Sequence, residues 1–167
     1  KEQLAPDQQF IYARSMEFRE QQIEGFKVVG ISARVTMATA AEQIGGLWKR
    51  WFMEGLERKI PNRISDDKYN IYSNYEGDHT QPYTCFLGCR VESVKKVPDG
   101  LQALEIRGGK FAVFDVQGKL PDVVLETWMK IYSMDEFERL FKADFDVYGA
   151  DAANPDDAKL QTYVSIK

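Results

Sequence analysis

The chain has 167 residues, 44% of them hydrophobic and 29% charged, with a formal net charge of −4. That length favours one domain whose core buries roughly 70% of the unfolded surface. The acidic balance lacks the basic stripe of a nucleic-acid footprint; no apolar run approaches the roughly 20 residues of a membrane helix, and the first residues do not pattern as a signal peptide.

The cysteines, Cys85 and Cys89, are separated by three residues. On one strand they would share a face about 13 Å apart at ~3.3 Å per residue, which is too far to bridge. A reducing, cytoplasmic setting is expected. One histidine and two separated thiols offer no metal cluster. No cofactor fingerprint appears: Gly45-Gly46 lies within a helical pattern, and Gly108-Gly109 lacks the spacing of a dinucleotide loop. His79, beside Asp78 in a turn, reads as a solvated loop histidine.

Residues 1–15 are polar, hold Pro6 and show no period, so they read as a leader or an N-terminal arm. Met16 opens a better-patterned segment and is expected as the native start. Residues 26–36 alternate, with Val29, Ile31, Ala33 and Val35 on one face, as in a half-buried strand. Thr39-Ala40-Ala41-Glu42 reads as a capping box. Ile44, Leu47, Trp48, Trp51 and Phe52 follow at helical spacing. Residues 69–76 and 83–93 are predicted strands. Val97-Pro98-Asp99-Gly100 is a turn between halves at about residue 97. Extended segments at 101–106 and 110–116 lead through Gly118-Lys119-Leu120-Pro121 into a helix carrying Val124, Leu125, Trp128, Ile131 and Tyr132. Asp135 to Phe141 extends that helix or forms a second short one. Residues 144–149 and 160–166 are the last strands, joined by an acidic loop. The order reads βαββ twice, an α+β fold with mainly antiparallel pairing.

The halves echo one another. Asn70 to Asp78 and Asp144 to Asp151 are strand-like runs that each end in Tyr, two residues and Asp, about twenty residues after Trp48 and Trp128 respectively. A seam between two such copies, walled by aromatics, is a natural small-molecule cleft. Asp146 and Tyr148 share a strand face, and so do Gln161 and Tyr163 on the closing strand. Aromatic faces hold flat or cationic ligands through contacts of roughly 0.5–2 kcal/mol each. The candidate walls are Trp48, Phe52, Tyr72, Tyr75, Phe86, Trp128, Tyr132, Tyr148 and Tyr163, with Asp146 and Gln161 as polar contacts. No catalytic residue is singled out.

Five stretches carry a resemblance: Phe26 to Ile31, Ile44 to Phe52, Gly108 to Phe114 with Gly118 and Trp128, Asp144 to Tyr148, and Gln161 to Ile166. In order and spacing they are similar to the GyrI-like, or AraC-type, effector-binding domain. That domain is the ligand module of multidrug-responsive transcription regulators, and it also occurs as a stand-alone protein. The resemblance covers about Met16 to Lys167. It implies a duplicated βαββ unit with a ligand cleft at the pseudo-twofold seam, and ligands that are lipophilic, often cationic aromatic compounds. It further implies that Asp146 stands at the pocket acid and Tyr163 at an aromatic wall. Gln161 departs from the family's usual glutamate, and Ser165 from its usual proline. With no helix-turn-helix segment, the chain is expected to bind an effector for sensing or sequestration without contacting nucleic acid itself. Hydrolysis of reactive electrophilic toxins in the same cleft is the enzymatic alternative, and modulation of a protein partner is another. A homodimer through an edge strand is compatible with the sequence but not specified by it.

Overall fold

The structure, a computed structural model, describes residues 16–167. The expected leader or arm at 1–15 lies outside the described residues. Eight strands, β1 (Arg19–Ile23), β2 (Phe26–Val35), β3 (Lys68–Ser73), β4 (Tyr83–Val91), β5 (Gln102–Ile106), β6 (Gly109–Gly118), β7 (Ala143–Tyr148) and β8 (Ala158–Ser165), form one sheet in the order β1-β6-β8-β7-β3-β4-β2-β5. Every pairing is antiparallel. Among the described residues three α-helices accompany it, α1 (Ala40–Met53), the single turn α2 (Leu56–Lys59) and α3 (Asp122–Tyr132). Among the described residues, no helix is long and apolar enough to cross a membrane.

Exchanging β1–β4 for β5–β8 reverses this strand order onto itself, so a pseudo-twofold axis passes between β3 and β7. The lengths agree: β1 and β5 have five residues, β2 and β6 ten. Each half is therefore ββαββ, with one strand more than the predicted βαββ. The missed strand is β1. Its sequence Arg19-Glu20-Gln21-Gln22-Ile23 is polar and almost wholly exposed, so it carries no alternation to read. It pairs with β6 of the other half through its backbone, as β5 pairs with β2. A charged, polar strand also protects the sheet edge against further pairing.

At the axis, Asn70 of β3 faces Asp146 of β7. With these two residues as counterparts, Tyr72 corresponds to Tyr148, each two residues further along its strand. The sequence echo, which aligned Tyr75 with Tyr148, was three residues out of register.

The sheet is apolar on both faces. Val29, Ile31, Cys85, Leu87, Ala112 and Phe114 pack with Leu47 and Trp51 of α1 and with Trp128 and Ile131 of α3. Phe26, Val28, Ile71, Phe86, Phe111, Val113 and Phe145 form a second cluster on the opposite face. Helix α1 begins where expected, but not by the expected device. The Thr39 hydroxyl accepts the Thr36 N–H at 2.9 Å, and the Ala40 N–H reaches the Thr36 carbonyl at 2.8 Å. The first turn is thus closed from Thr36. The segment from Asp135 to Phe141 forms no helix; Arg139 makes an isolated bridge to Ile166 instead.

Gly30 and Gly88 are partners across β2 and β4. A Cβ added at Gly30 would lie 1.9 Å from the Leu87 carbonyl oxygen. Gly30→Ala should therefore destabilise the fold by about 3 kcal/mol, with the urea m-value unchanged. A loss under about 1 kcal/mol would mean that the two strands separate easily.

Candidate functional site

A cleft of about 390 Å³ opens between α1, α3 and the central strands. That volume lies within the range of small-molecule sites. α1 supplies Ile44 and Trp48, and α3 supplies Val124, Trp128 and Tyr132. Asn70 and Tyr72 enter from β3, Tyr83 from β4 and Tyr148 from β7, while Tyr75, His79 and Arg139 come from connecting segments. Met37, Leu125 and Met129 also line it and are largely exposed, which sets them at the mouth. The rings contact one another edge to face: Trp48 on Tyr148 at 4.9 Å and Tyr72 on Trp128 at 5.2 Å.

Beneath this surface lies Asp146, fully buried. Its carboxylate accepts the Tyr72 hydroxyl at 2.6 Å, the Thr162 hydroxyl at 2.6 Å and the Trp128 indole N–H at 3.2 Å. Two of those donors are cleft walls, so the carboxylate sets the orientation of both rings. Burial pushes the Asp146 carboxyl up to about 6, against the opposing pull of its three hydrogen bonds. Burial, then the neighbouring Asp146 charge, holds the Tyr72 hydroxyl well above its ordinary value. Tyr72 therefore keeps its proton and donates it to Asp146.

That commitment fixes Asn70. The Tyr72 oxygen can only accept from it, so the Asn70 amide nitrogen faces Tyr72, at 3.2 Å. The Asn70 Oδ1 atom is left buried, with no hydrogen bond to any described residue. A second buried carboxylate, Asp144, accepts Arg139 Nη2 at 2.9 Å, the Tyr75 hydroxyl at 2.7 Å and the Ser165 backbone N–H at 2.7 Å. It holds the far end of the cleft as Asp146 holds the middle.

Of the residues expected at the site, Trp48, Tyr72, Tyr75, Trp128, Tyr132 and Tyr148 line this cleft. Asp146 does not reach its surface; it acts through Tyr72 and Trp128. Phe52 is 65% exposed and stacks on Trp48 at 5.9 Å without entering the cleft. The preceding Trp51 is buried, so Phe52 falls on the solvent side of the helix. Phe86, Gln161 and Tyr163 lie on the other face. Phe86 and Tyr163 belong to the second apolar cluster, and Gln161 bonds Asp115 and accepts the Tyr163 hydroxyl. The pairing of Asp146 with Thr162 puts the even-numbered residues of β8 on the cleft side. Grouping Gln161 with Tyr163 was right; the side they face was not. His79 is not a solvated loop residue, for it stacks on Tyr132 at 3.8 Å and lines the cleft.

Sequence reasoning missed Asn70, Asp144 and Arg139. The first two were within reach, because strand alternation places Asn70 with Tyr72 and Asp144 with Asp146. Arg139 sits in an irregular segment, where no periodicity marks it.

Residues 21–166 match the family model described as Cass2, integron-associated effector binding protein. YobU of Bacillus subtilis (strain 168), provisionally named a transcriptional regulator, is 29% identical over 147 residues, covering 84% of this chain and 92% of that protein. Among solved structures, the integron cassette protein VCH_CASS2 from the mobile metagenome of Vibrio cholerae has a TM-score of 0.71 at 21% identity, covering 90% of this chain and 95% of its own. SAV2435, solved bound to tetraphenylphosphonium, has a TM-score of 0.77 at 17% identity, covering 91% and 94%. At those identities the two structures share the fold.

The raised carboxyl of Asp146 makes a signed prediction. The folded state holds the Asp146 proton more tightly than the unfolded chain, whose carboxyl sits near 3.8. Stability from this group is therefore lost as pH rises from about 4 to about 6 and is level above that. Asp146→Asn should remove that slope, so the wild-type advantage over the variant shrinks by roughly 3 kcal/mol between pH 4 and pH 7 in paired urea melts. Parallel pH curves would contradict the assignment.

Proposed function

The chain belongs to the Cass2 family of integron-associated effector-binding proteins, and we propose that its cleft captures a small, lipophilic aromatic compound, for sensing or sequestration. The observation that carries this reading is the aromatic cleft of about 390 Å³ whose walls, Tyr72 and Trp128, hang from one buried carboxylate. Rings fixed in this way present their faces without losing rotamer freedom on binding. The solved relative that holds tetraphenylphosphonium supports extending the ligand class to lipophilic cations. A cation in the cleft would meet ring faces and, through the Tyr72–Asp146 bond, a negative charge one residue deep. Capture also fits the geometry better than hydrolysis. A carboxylate that activates water must touch the substrate's side of the cleft, whereas Asp146 is covered by Tyr72 and Trp128.

Titration with tetraphenylphosphonium should quench tryptophan fluorescence saturably, and Trp48→Ala should weaken that binding about tenfold. Asp146→Asn should weaken the cation several-fold more than neutral naphthalene. No saturable response to either compound would end the capture reading; equal losses for both would remove the charge role of Asp146 and leave the cleft.

A further inference from the structure

We propose, resting on the ligand-capture reading above, that the Arg139 end of the cleft is a polar subsite that receives a hydrogen-bond acceptor, a carbonyl or carboxylate oxygen carried by the aromatic ligand. Arg139 lines the cleft, yet its side chain is only 8% exposed. Nη2 donates to Asp144 at 2.9 Å. Nε and Nη1 are buried and donate to no described residue. The guanidinium lies against two rings, with Cζ 4.2 Å from the Phe141 ring centroid and 5.6 Å from that of Trp128. It cannot swing out to present those donors elsewhere without giving up both contacts and the ion pair.

Asp144 has no capacity to spare. It already accepts from Arg139, from the Tyr75 hydroxyl, and from both the backbone N–H and the hydroxyl of Ser165. A guanidinium carries donors only, so the unmatched positions call for an acceptor. Buried donors without partners are costly, and a planar fork favours a planar acceptor. The middle of the cleft has the opposite polarity, since Asn70 Oδ1 is an acceptor without a donor. A hydrocarbon ligand would cover both poles and satisfy neither. An aromatic acid or amide matches Arg139 while its ring lies against Trp128 and Tyr132. The subsite thus narrows the ligand class from lipophilic aromatics in general to those with an oxygen acceptor at one end.

The test uses the full chain and three probes of one ring size, 2-naphthoate, 2-naphthamide and 2-ethylnaphthalene, titrated by calorimetry. The two acceptor-bearing probes should bind about tenfold tighter than 2-ethylnaphthalene, as expected for hydrogen bonds to a charged donor. The order of the first two tells whether the acceptor is preferred charged or neutral. The Arg139 Nε–H resonance should move with both of them and stay in place with the hydrocarbon. Arg139→Gln should bring all three affinities within about twofold of one another. Should that variant fail to fold, the wild-type affinities and the Nε–H resonance decide the matter. Equal affinities with an unmoved resonance overturn the subsite and leave the cleft. So does binding of tetraphenylphosphonium without binding of either 2-naphthoate or 2-naphthamide. If none of the four compounds binds, the capture reading fails first and takes the subsite with it.

Discussion

A single buried carboxylate organises this molecule's centre. Asp146 sits at the pseudo-twofold axis and gathers donors from three elements, Tyr72 of β3, Thr162 of β8 and Trp128 of α3. A lone buried charge would cost several kcal/mol; three donors make it tolerable and at the same time fix the rings that form the cleft. The arrangement is asymmetric for a physical reason. Its counterpart in the other half is Asn70, directly opposite on the neighbouring strand. Paired strand positions hold Cβ atoms only about 5 Å apart, and two carboxylates there would repel each other. Duplication supplies two equivalent positions, but only one of them can be charged. The amide at the other supplies a donor to Tyr72 and leaves one buried acceptor without a donor among the described residues.

The same logic extends along the cleft. Asp144, two residues before Asp146 on the same face, neutralises Arg139 and positions Tyr75. Two buried acids therefore serve as supports behind the surface rather than as contacts on it. The surface itself is largely aromatic and apolar, with methionines at its mouth. Methionine adapts its shape at low cost, so the rigid part of the cleft lies deep and the compliant part lies at the entrance.

The opposite face of the sheet explains why strands β2, β4 and β6 are apolar on both sides. Phe26, Phe86, Phe111 and Phe145 are buried there in a cluster to which none of the described helices contributes a residue. Phe145 stacks on Tyr163 at 4.7 Å. Tyr163, a plausible cleft wall from its sequence alone, is a structural aromatic in this second cluster. A strand with apolar residues on both faces carries no mark of which face looks at a ligand.

Alternation at period two placed the strands and grouped their residues correctly, because side-chain direction along a strand is a local property. Helical spacing did the same for Trp48 and Trp128. The family resemblance and the α+β class followed from the order of those elements. What only the tertiary structure decided is whatever depends on register and on long-range pairing. The pairing of Asp146 with Thr162 turned Gln161 and Tyr163 away from the cleft; a shift of one residue would have turned them toward it. The edge strand β1 exists because β6 offers a backbone to pair with, and its own side chains encode nothing of it. Arg139 enters the site because an irregular segment is tied to the end of β8 through Ile166. Residues far apart in the chain became neighbours there by hydrogen bonds between backbones, which no pattern in a single sequence records.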